Sequence, residues 1–532
     1  MRTPLAHSAR KNYPPQTYEA HVRGVCERAG KYAAEAECYS VKANGILSAI
    51  VRDSALLHDL GKLEERNQSV LCEQRRRRRH LPVDHTDAGS AALQKMGSGC
   101  AAMLVYSHHQ GLPDLSTEFA ARGCSIFRNG NAEVRAETDA ALPALLRQHE
   151  ALFPRKPNKE VQAYDGDPAV FLRMALSCLA DADHGDTAAA FGQTEKAMPE
   201  LRPQERLAAL DHYVSKFGET DERSSLRREL YQSCRSAEAH SGFSVCGSPV
   251  GSGKTTAVMA HLLEQACKRN ARRIFVVLPY TSIIRQSVDI YRKALVLPGE
   301  TPEDVVAELH SRADFEDIET RYLTALWRAP IVVTTAVAFF ETLSSHNPAA
   351  LRRLHELPGS LIFVDEAHSA LPIRLLPLAW HWMNVLADEW SCYWVLASGS
   401  LVRYWELQPL SGLSMPQPEI AELVRPDLQR ELSRYESSRI TFRWREKPIG
   451  WKELAKWVQE APGPRLLILN TVQSAAVIAA DMAAEFGQTH VEHLSTALSP
   501  EDRGNTIDRI RRRLADPYDA DWTLVATSCV EA

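Results

Sequence analysis

Residues 247–256 read GSPVGSGKTT, and they decide how the larger part of this 532-residue chain folds. The apolar run FSVCG leads into the stretch, and TAVMAHLLEQACK, helical in pattern, leads out of it. Strand, glycine-rich turn and helix in that order make a cradle for phosphate. Successive backbone N–H groups at Gly251, Ser252 and Gly253 can face an anion, because glycine lets the loop approach closely. Lys254 is placed to reach the β- and γ-phosphates and Thr255 to hold Mg²⁺, so ATP with Mg²⁺ is the expected cofactor.

Working outward, short apolar runs alternate with helical stretches: FSVCGSP, RIFVVLPYT, PIVVTT, SLIFVDEAH and YWVLASGS. Such alternation predicts a parallel sheet with covering helices. The fourth run ends on Asp365 and Glu366. Asp365 can hold Mg²⁺ through water, and Glu366 can orient and deprotonate the attacking water in phosphoryl transfer. A stretch rich in proline and charge, 411–436, reads as a linker. Strand and helix patterns then resume with RLLILNTVQSAAVIAADMAAEF, HVEHLSTALSPEDR and WTLVATSCVEA, so 437–532 reads as a second, unfinished α/β unit.

Residues 1–215 differ: Ala, Leu and Glu are frequent, β-branched runs are nearly absent, and the pattern is mostly helical. Helices are expected around His21, around His58, over 91–109 and over 169–182. The fold class expected is therefore multidomain, an all-α domain followed by α/β domains, the first complete and the second partial. Hydrophobic residues make up 45% of the chain and the formal net charge is −5, so a nucleic-acid role is not legible in net charge. No apolar segment approaches the roughly 20 residues that span a membrane, and no signal peptide is recognisable, so a cytoplasmic monomer is expected. Eleven Cys without a CxxC pair argue against a disulfide framework; most are expected to be reduced and buried.

Within the helical block stand His21, His58-Asp59, His85, His108-His109 and Asp183, with Asp181 an alternative to Asp183 in LADADHGD. One His-Asp dipeptide means little in a chain with 19 His, and a single buried His more often satisfies a core. Together the seven positions form a ligand set. Imidazole and carboxylate suit borderline divalent metals, Mn, Fe, Co, Ni or Zn, and the absence of thiolate argues against structural zinc. Asp59 can bridge two ions, with His21, His58 and Asp183 completing one and His85, His108 and His109 the other. Two ions about 3.5–4 Å apart suit phosphodiester cleavage. Lys62, one turn after His58, can attract a phosphate oxygen.

The DEAH at 365–368 resembles the Walker B box of superfamily 2 helicases, and further stretches follow that family's order. VLPYTSIIRQ and VVTTAVAFFETL resemble its motifs that touch the backbone of a tracking strand, which implies Thr281 and Thr334 or Thr335 as contacts. ASGS, with Ser398 and Ser400, stands where the family has Ser-Ala-Thr. ILNTVQSA, with Asn470 and Thr471, and HLST resemble the start of its second motor domain. VATSCVEA, with Thr527 and Glu531, resembles the motif that senses strand and nucleotide. Ser248 opens the phosphate loop, where this family accepts a small residue.

AHSARKNYPPQTYEAHV, HDLGK, DHTDAG, SHHQG and LADAD are similar to HD phosphohydrolases, and the fusion resembles the type I CRISPR-associated nuclease-helicase over essentially the whole chain. The resemblance implies an HD nuclease domain at 1–215, a RecA-like motor domain at 216–410, the linker 411–436, and an incomplete second RecA-like domain at 437–532. It implies a 3′-to-5′ DNA translocase that cuts single-stranded DNA when recruited by an RNA-guided surveillance complex. The family continues past this last strand to arginines that complete the ATP site, groups worth about 10³–10⁵ in rate in related enzymes, so weak ATP hydrolysis and impaired unwinding are expected of a chain truncated here. The run Arg75–Arg79 is either a solvated loop or a phosphate-gripping lip. An HD nucleotide phosphohydrolase with a regulatory ATP-binding half, and a non-catalytic DNA-binding remnant, are the competing readings.

Overall fold

The computed structural model describes the chain outside residues 1–2, 11, 74–79, 155–162, 194–196, 280, 310–326, 371, 407–419 and 528–532, and outside the side chains of 124, 281–283 and 500. Arg75–Arg79 and Glu531 thus lie outside the described residues. Internal packing divides the chain into two compact units, Met1–Pro279 with Ser287–Tyr435, and Tyr280–Gln286 with Glu436–Ala532.

The larger unit begins with a short antiparallel hairpin, β1 (Leu5–His7) and β2 (Gln16–Thr17), followed by helices. These are α1 (Tyr18–Glu37), α2 (Ile46–Leu57), α3 (Glu65–Leu71), α4 (His85–Lys95) and α5 (Gly99–Gln110). Then come α6 (Leu115–Arg122), α7 (Ala132–Leu152), α8 (Pro168–Ala190), α9 (Pro203–Ser215) and α10 (Glu222–Ser236). Where the sequence suggests one helix over 91–109, the chain breaks at 96–98 and forms α4 and α5 as separate rods. Local capping explains several starts: Thr17, Asp84 and Asp167 accept from backbone N–H groups in the first turns of α1, α4 and α8. Packing of α1, α2, α5 and α8 buries Val22, Val25, Leu47, Val51, Leu104, Val105, Met174 and Leu179 completely.

A seven-stranded sheet follows, with strands β3 (Phe243–Gly247), β4 (Ile274–Leu278), β5 (Val306–Leu309), β6 (Ile331–Thr335), β7 (Leu361–Asp365), β8 (Tyr393–Ser398) and β9 (Ala421–Glu422). Its order is β5-β6-β4-β7-β8-β3-β9 and every pair is parallel. All residues of β3, β4, β6 and β8 are buried, which is why these strands read as unbroken apolar runs rather than alternating ones. Helices of this part are α11 (Lys254–Arg269), α12 (Thr281–Leu295), α13 (Pro302–Val305), α14 (Ala336–Ser344), α15 (Pro348–Leu351) and α16 (Leu376–Trp390). Two edge strands escaped the sequence reading. Only two of the four residues of β5 are fully buried, and β9 lies inside the stretch read as a linker, yet pairs with β3.

The smaller unit carries a three-stranded parallel sheet, order β10-β12-β11, from Arg465–Ile468, Thr523–Ala526 and Val491–Leu494. After α17 (Pro426–Ser438) its helices are α18 (Trp451–Gln459), α19 (Val472–Phe486) and α20 (Pro500–Ala515). Its core joins Ala455, Leu467, Ile478, Met482 and Val525. Among the described residues no helix is long and apolar enough to cross a membrane. Nine described Cys are free; Cys178, Cys234, Cys246 and Cys392 are buried, while Cys38, Cys72 and Cys100 are exposed, so burial of most cysteines does not hold.

Candidate metal centre and nucleotide site

Five helical segments deliver the histidines and acids of the N-terminal block to one point. His21 comes from the first turn of α1, His58 caps the C-terminus of α2, and Asp59 and Lys62 follow it in a 3₁₀ turn. His85 opens α4, His108 and His109 lie in the last turn of α5, and Asp183 sits within α8. Two glycines permit the closure. A Cβ on Gly61 would lie 2.6 Å from the His85 carbonyl oxygen, and one on Gly89 would lie 2.0 Å from that of Leu57, so α4 can press against the end of α2 only where both side chains are absent.

Asp59 stands between two groups of donors. His21, His58 and Asp183 form one and His85, His108 and His109 the other, the donor atoms of each lying within 4.8 Å of one another. Asp59 Oδ2 is 3.1 Å from His21 Nε2 and 3.3 Å from His58 Nε2, while Oδ1 faces the second group, 3.6 Å from His85 Nε2. Asp183 Oδ1 is 3.3 Å from His21 Nε2 and 3.9 Å from His58 Nε2. The Lys62 ammonium lies 2.6 Å from Asp59 Oδ2.

The outer ring nitrogens are already engaged. Nδ1 of His58 donates to the Ala55 carbonyl (2.8 Å) and Nδ1 of His108 to that of Val105 (2.6 Å), since a carbonyl can only accept. His21 Nδ1 is 2.8 Å from Asp186 Oδ2. All three rings therefore turn Nε2 inward, the orientation a carbonyl or carboxylate imposes on a metal-ligating histidine. Facing nitrogens lie close together, His58 to His21 at 3.3 Å and His109 to His85 at 3.0 Å. Both Asp59 oxygens and His108 Nε2 are buried; His108 Nε2 has no hydrogen bond, and Asp59 meets only the Lys62 ammonium and the facing imidazoles, none in well-aligned hydrogen-bond geometry. Buried acceptors crowded in this way demand cations, and the donor chemistry fits two divalent transition-metal ions.

Electrostatics points the same way. Burial alone would raise the Asp59 carboxyl, but Lys62, His58 and His21 together hold it well below the usual carboxylate range. Asp183 is likewise held low against its burial, by its hydrogen bond with His21 and by the charges of His58 and His21. Burial pushes His85 down to about 4 and His108 well below its ordinary value, keeping both as neutral donors. For His21, desolvation is outweighed by Asp183, Asp186 and Asp59, which raise it to about 10; among these acids a proton sits where another cation can.

Asp181, the alternative acid, points elsewhere: Arg328 and Arg352 hold it on the far side of α8. Asp186 was missed in the sequence. The signal was its spacing, three residues after Asp183 and so on the same helical face. His7, edge-on to His21 with ring centroids 4.8 Å apart, carried no signal that distinguished it.

At the carboxyl ends of β3 and β7 lies the second site. Gly251 and Gly253 both have positive φ (80° and 88°), and α11 begins at Lys254. Ser252 Oγ donates to Ser248 Oγ at 3.2 Å, giving the serine at the loop's first position a structural task. Thr255 occupies the first turn of α11, half-buried. Lys254 Nζ lies 2.8 Å from both Asp365 Oδ1 and Glu366 Oε1. Glu366 occupies the left-handed region (φ 46°), rare for a residue with a side chain. Ser398 donates to its Oε2 at 2.8 Å, and His368 Nδ1 is 2.8 Å from Ser398 Oγ, so the first serine of ASGS orients the acid; the Ser400 N–H also donates to that hydroxyl. The two acids are driven apart: burial and Glu366 push Asp365 up despite Lys254, whereas Lys254 and Ser398 overcome burial to hold Glu366 low.

The residues expected along a nucleic-acid strand are dispersed. Thr281 begins α12 and its side chain lies outside the described ones. Thr334 and Thr335 end β6 and are buried, and the Thr335 hydroxyl caps α14 by accepting from Ala338 N–H (3.1 Å), so neither side chain is presented at the surface. Asn470 and Thr471 are exposed at the start of α19, where Thr471 accepts from Ser474 N–H at 3.1 Å. Thr527 is buried just after the strand Thr523–Ala526.

Residues 231–374 match the model of the DEAD/DEAH box helicase family. A comparison with curated protein sequences gives no match. Among solved structures, T. fusca Cas3-ATP matches with TM-score 0.60 and 17% identity, over 99% of this chain and 70% of that one. T. fusca Cas3-ADP matches with TM-score 0.61 and 16% identity, over 100% and 70%. Residues 231–374 are thus similar to DEAD/DEAH box helicases, and the chain, over 99% of its length, shares the fold of the matching 70% of T. fusca Cas3.

Proposed function

We propose that this chain is a metal-dependent single-stranded DNA nuclease coupled to an ATP-driven 3′-to-5′ DNA translocase, acting with an RNA-guided type I CRISPR surveillance complex. In this reading 1–215 is the HD nuclease domain and 216–410 the first motor domain, with 437–532 belonging to the second. The observation that carries it is the pair of inward-facing donor groups on either side of the buried Asp59 carboxylate. Helicase architecture around the phosphate loop supports the motor half.

Two divalent ions, held by His21, His58 and Asp183 and by His85, His108 and His109 with Asp59 between, would supply water activation and charge stabilisation for phosphodiester cleavage. The protein's own part is orientation. Ala55, Val105 and Asp186 lock three imidazoles with Nε2 inward, and Lys62, buried beside Asp59, supplies a positive charge for a phosphate oxygen. In the motor half, nucleotide phosphates offer Lys254 an anion that competes with Asp365 and Glu366. Glu366, kept ionised and aimed by Ser398, then takes the proton of the attacking water. Thr334 and Thr335 shape the end of β6, while the exposed Asn470 and Thr471 remain direct candidates for strand contact.

Metal content measured together with Mn²⁺-dependent cleavage of circular single-stranded DNA tests the nuclease, on the parent and on Asp59→Ala. The parent is expected to carry metal and cut, and the variant to do neither. An Asp59→Ala chain that cuts like the parent sinks the proposal, and a parent that hydrolyses dNTPs but not circular DNA identifies a nucleotide phosphohydrolase instead.

A further inference from the structure

Helix α8 has two working faces. Ser177 and Asp181, one turn apart, share one; Asp183, roughly 200° around the helix from Asp181, lies on the other with Asp186. The second face enters the metal cluster. The first is docked on the α/β part of the same compact unit through a buried ionic network.

Asp181 is 1% exposed, and the side chains that meet its carboxylate, Arg328, Arg352 and His355, all come from that α/β part. Arg352 donates through Nε and Nη2 to Oδ1, at 2.9 and 2.7 Å. Arg328 donates through Nη2 to Oδ2 at 2.7 Å and to the Tyr32 hydroxyl of α1 at 3.0 Å. His355 Nε2 is 3.8 Å from Oδ2; its ring stacks on Tyr32 at 4.6 Å, and its backbone N–H donates to Ser177 Oγ at 3.0 Å. Glu356 closes the network, 3.3 Å from Arg328 Nε, 3.0 Å from Arg272 and 2.7 Å from Arg273. These side chains sit just ahead of β4, β6 and β7, at the amino ends of those strands, and β7 carries Asp365 at its other end.

We propose that Asp181 is a positioning residue: Arg328 and Arg352 fix α8 through it and thereby place Asp183 and Asp186 in the metal cluster. This rests on the nuclease reading above. Ligand positions in a metal site matter at about 0.2 Å, and a helix transmits a small rotation of one face directly to the other. A guanidinium pair converging on one buried carboxylate resists such rotation, whereas loss of the carboxylate removes the group on which both converge.

The test uses the full chain with Asp181→Asn, Arg352→Met and Arg352→Lys. Three quantities are measured: Mn²⁺ affinity by calorimetry, amide exchange in α8 without metal, and binding of a fluorescent ADP as a check of folding. Asp181→Asn and Arg352→Met are expected to weaken Mn²⁺ binding roughly tenfold, in the range seen for residues supporting metal ligands, and to speed exchange in α8 while ADP binding stays at the parent level. Arg352→Lys, which keeps the charge, is expected to recover part of the loss, and nuclease kcat is expected to fall at unchanged KM for an oligonucleotide. If Asp181→Asn does not fold, the two Arg352 variants decide. Variants that lower the melting temperature yet bind Mn²⁺ like the parent overturn this inference alone; a parent that takes up no Mn²⁺ removes the metal site and this inference with it.

Discussion

The nucleotide site and the metal cluster reach comparable geometric order by opposite routes. The phosphate loop is local: one strand, one turn and one helix, with Asp365 and Glu366 added from the end of β7 and Ser398 from β8, the strand between β7 and β3. The candidate metal cluster gathers its donors from helical segments far apart in sequence, and neither acid nor imidazole means anything until α1, α2, α4, α5 and α8 have packed. A local site is encoded by a motif, whereas a distributed site is encoded by packing; the second therefore depends on residues outside the donor set, such as Gly61, Gly89, Asp186 and Asp181.

That contrast can be broken or sharpened by substitution. The largest effect is expected from Asp59→Ala, which removes the only carboxylate shared by both donor groups: nuclease activity falls to background while nucleotide binding is retained. Loss of both together would show the two sites to be one cooperative unit. Next, Glu366→Gln is expected to slow ATP turnover by about 10²–10⁴ without lowering metal content, the span usual for a general base. Measuring both quantities on one preparation separates the sites in the other direction. Asp186→Ala, which frees His21 Nδ1, is expected to weaken metal affinity by about 10–100-fold. An unchanged affinity would mean that the cluster tolerates a loose imidazole and is less dependent on its packing than argued here.

The smallest effect concerns stability against acid. His261 of α11 is buried between the Cys234 carbonyl (3.0 Å) and the Tyr393 hydroxyl (2.7 Å), and burial pushes it down to about 4. Because its folded value lies below the unfolded one, the unfolded chain binds the proton first. Its contribution is therefore intact above about pH 6.5 and declines as pH falls toward 4, by about 3 kcal/mol at most. Thermal unfolding of parent and His261→Gln between pH 7 and 4.5 checks this: the parent should lose stability more steeply, and parallel slopes would count against it.

Much of this was legible in the residues. GSPVGSGKTT and LIFVDEAH each carry their context with them, and the buried strands announce themselves as apolar runs because both faces of the sheet are covered. The short edge strands β5 and β9 were not legible, since two to four residues paired along one side leave no periodic pattern. The break between α4 and α5 was hidden by apolar residues on both sides of it.

The sequence by itself determined the chemistry on offer: a phosphate loop, a pair of acids at a strand end, and imidazoles with carboxylates in an order that suits metal. Only the tertiary structure turned Asp183 toward His21 and Asp181 toward Arg328 and Arg352, because both lie in one helix and their directions depend on what packs on each face. It also put Asp59 between two donor groups and withdrew the Thr334 and Thr335 side chains from the surface. Direction around a helix and burial at a strand end are properties of what packs alongside, and that information is spread over the whole chain.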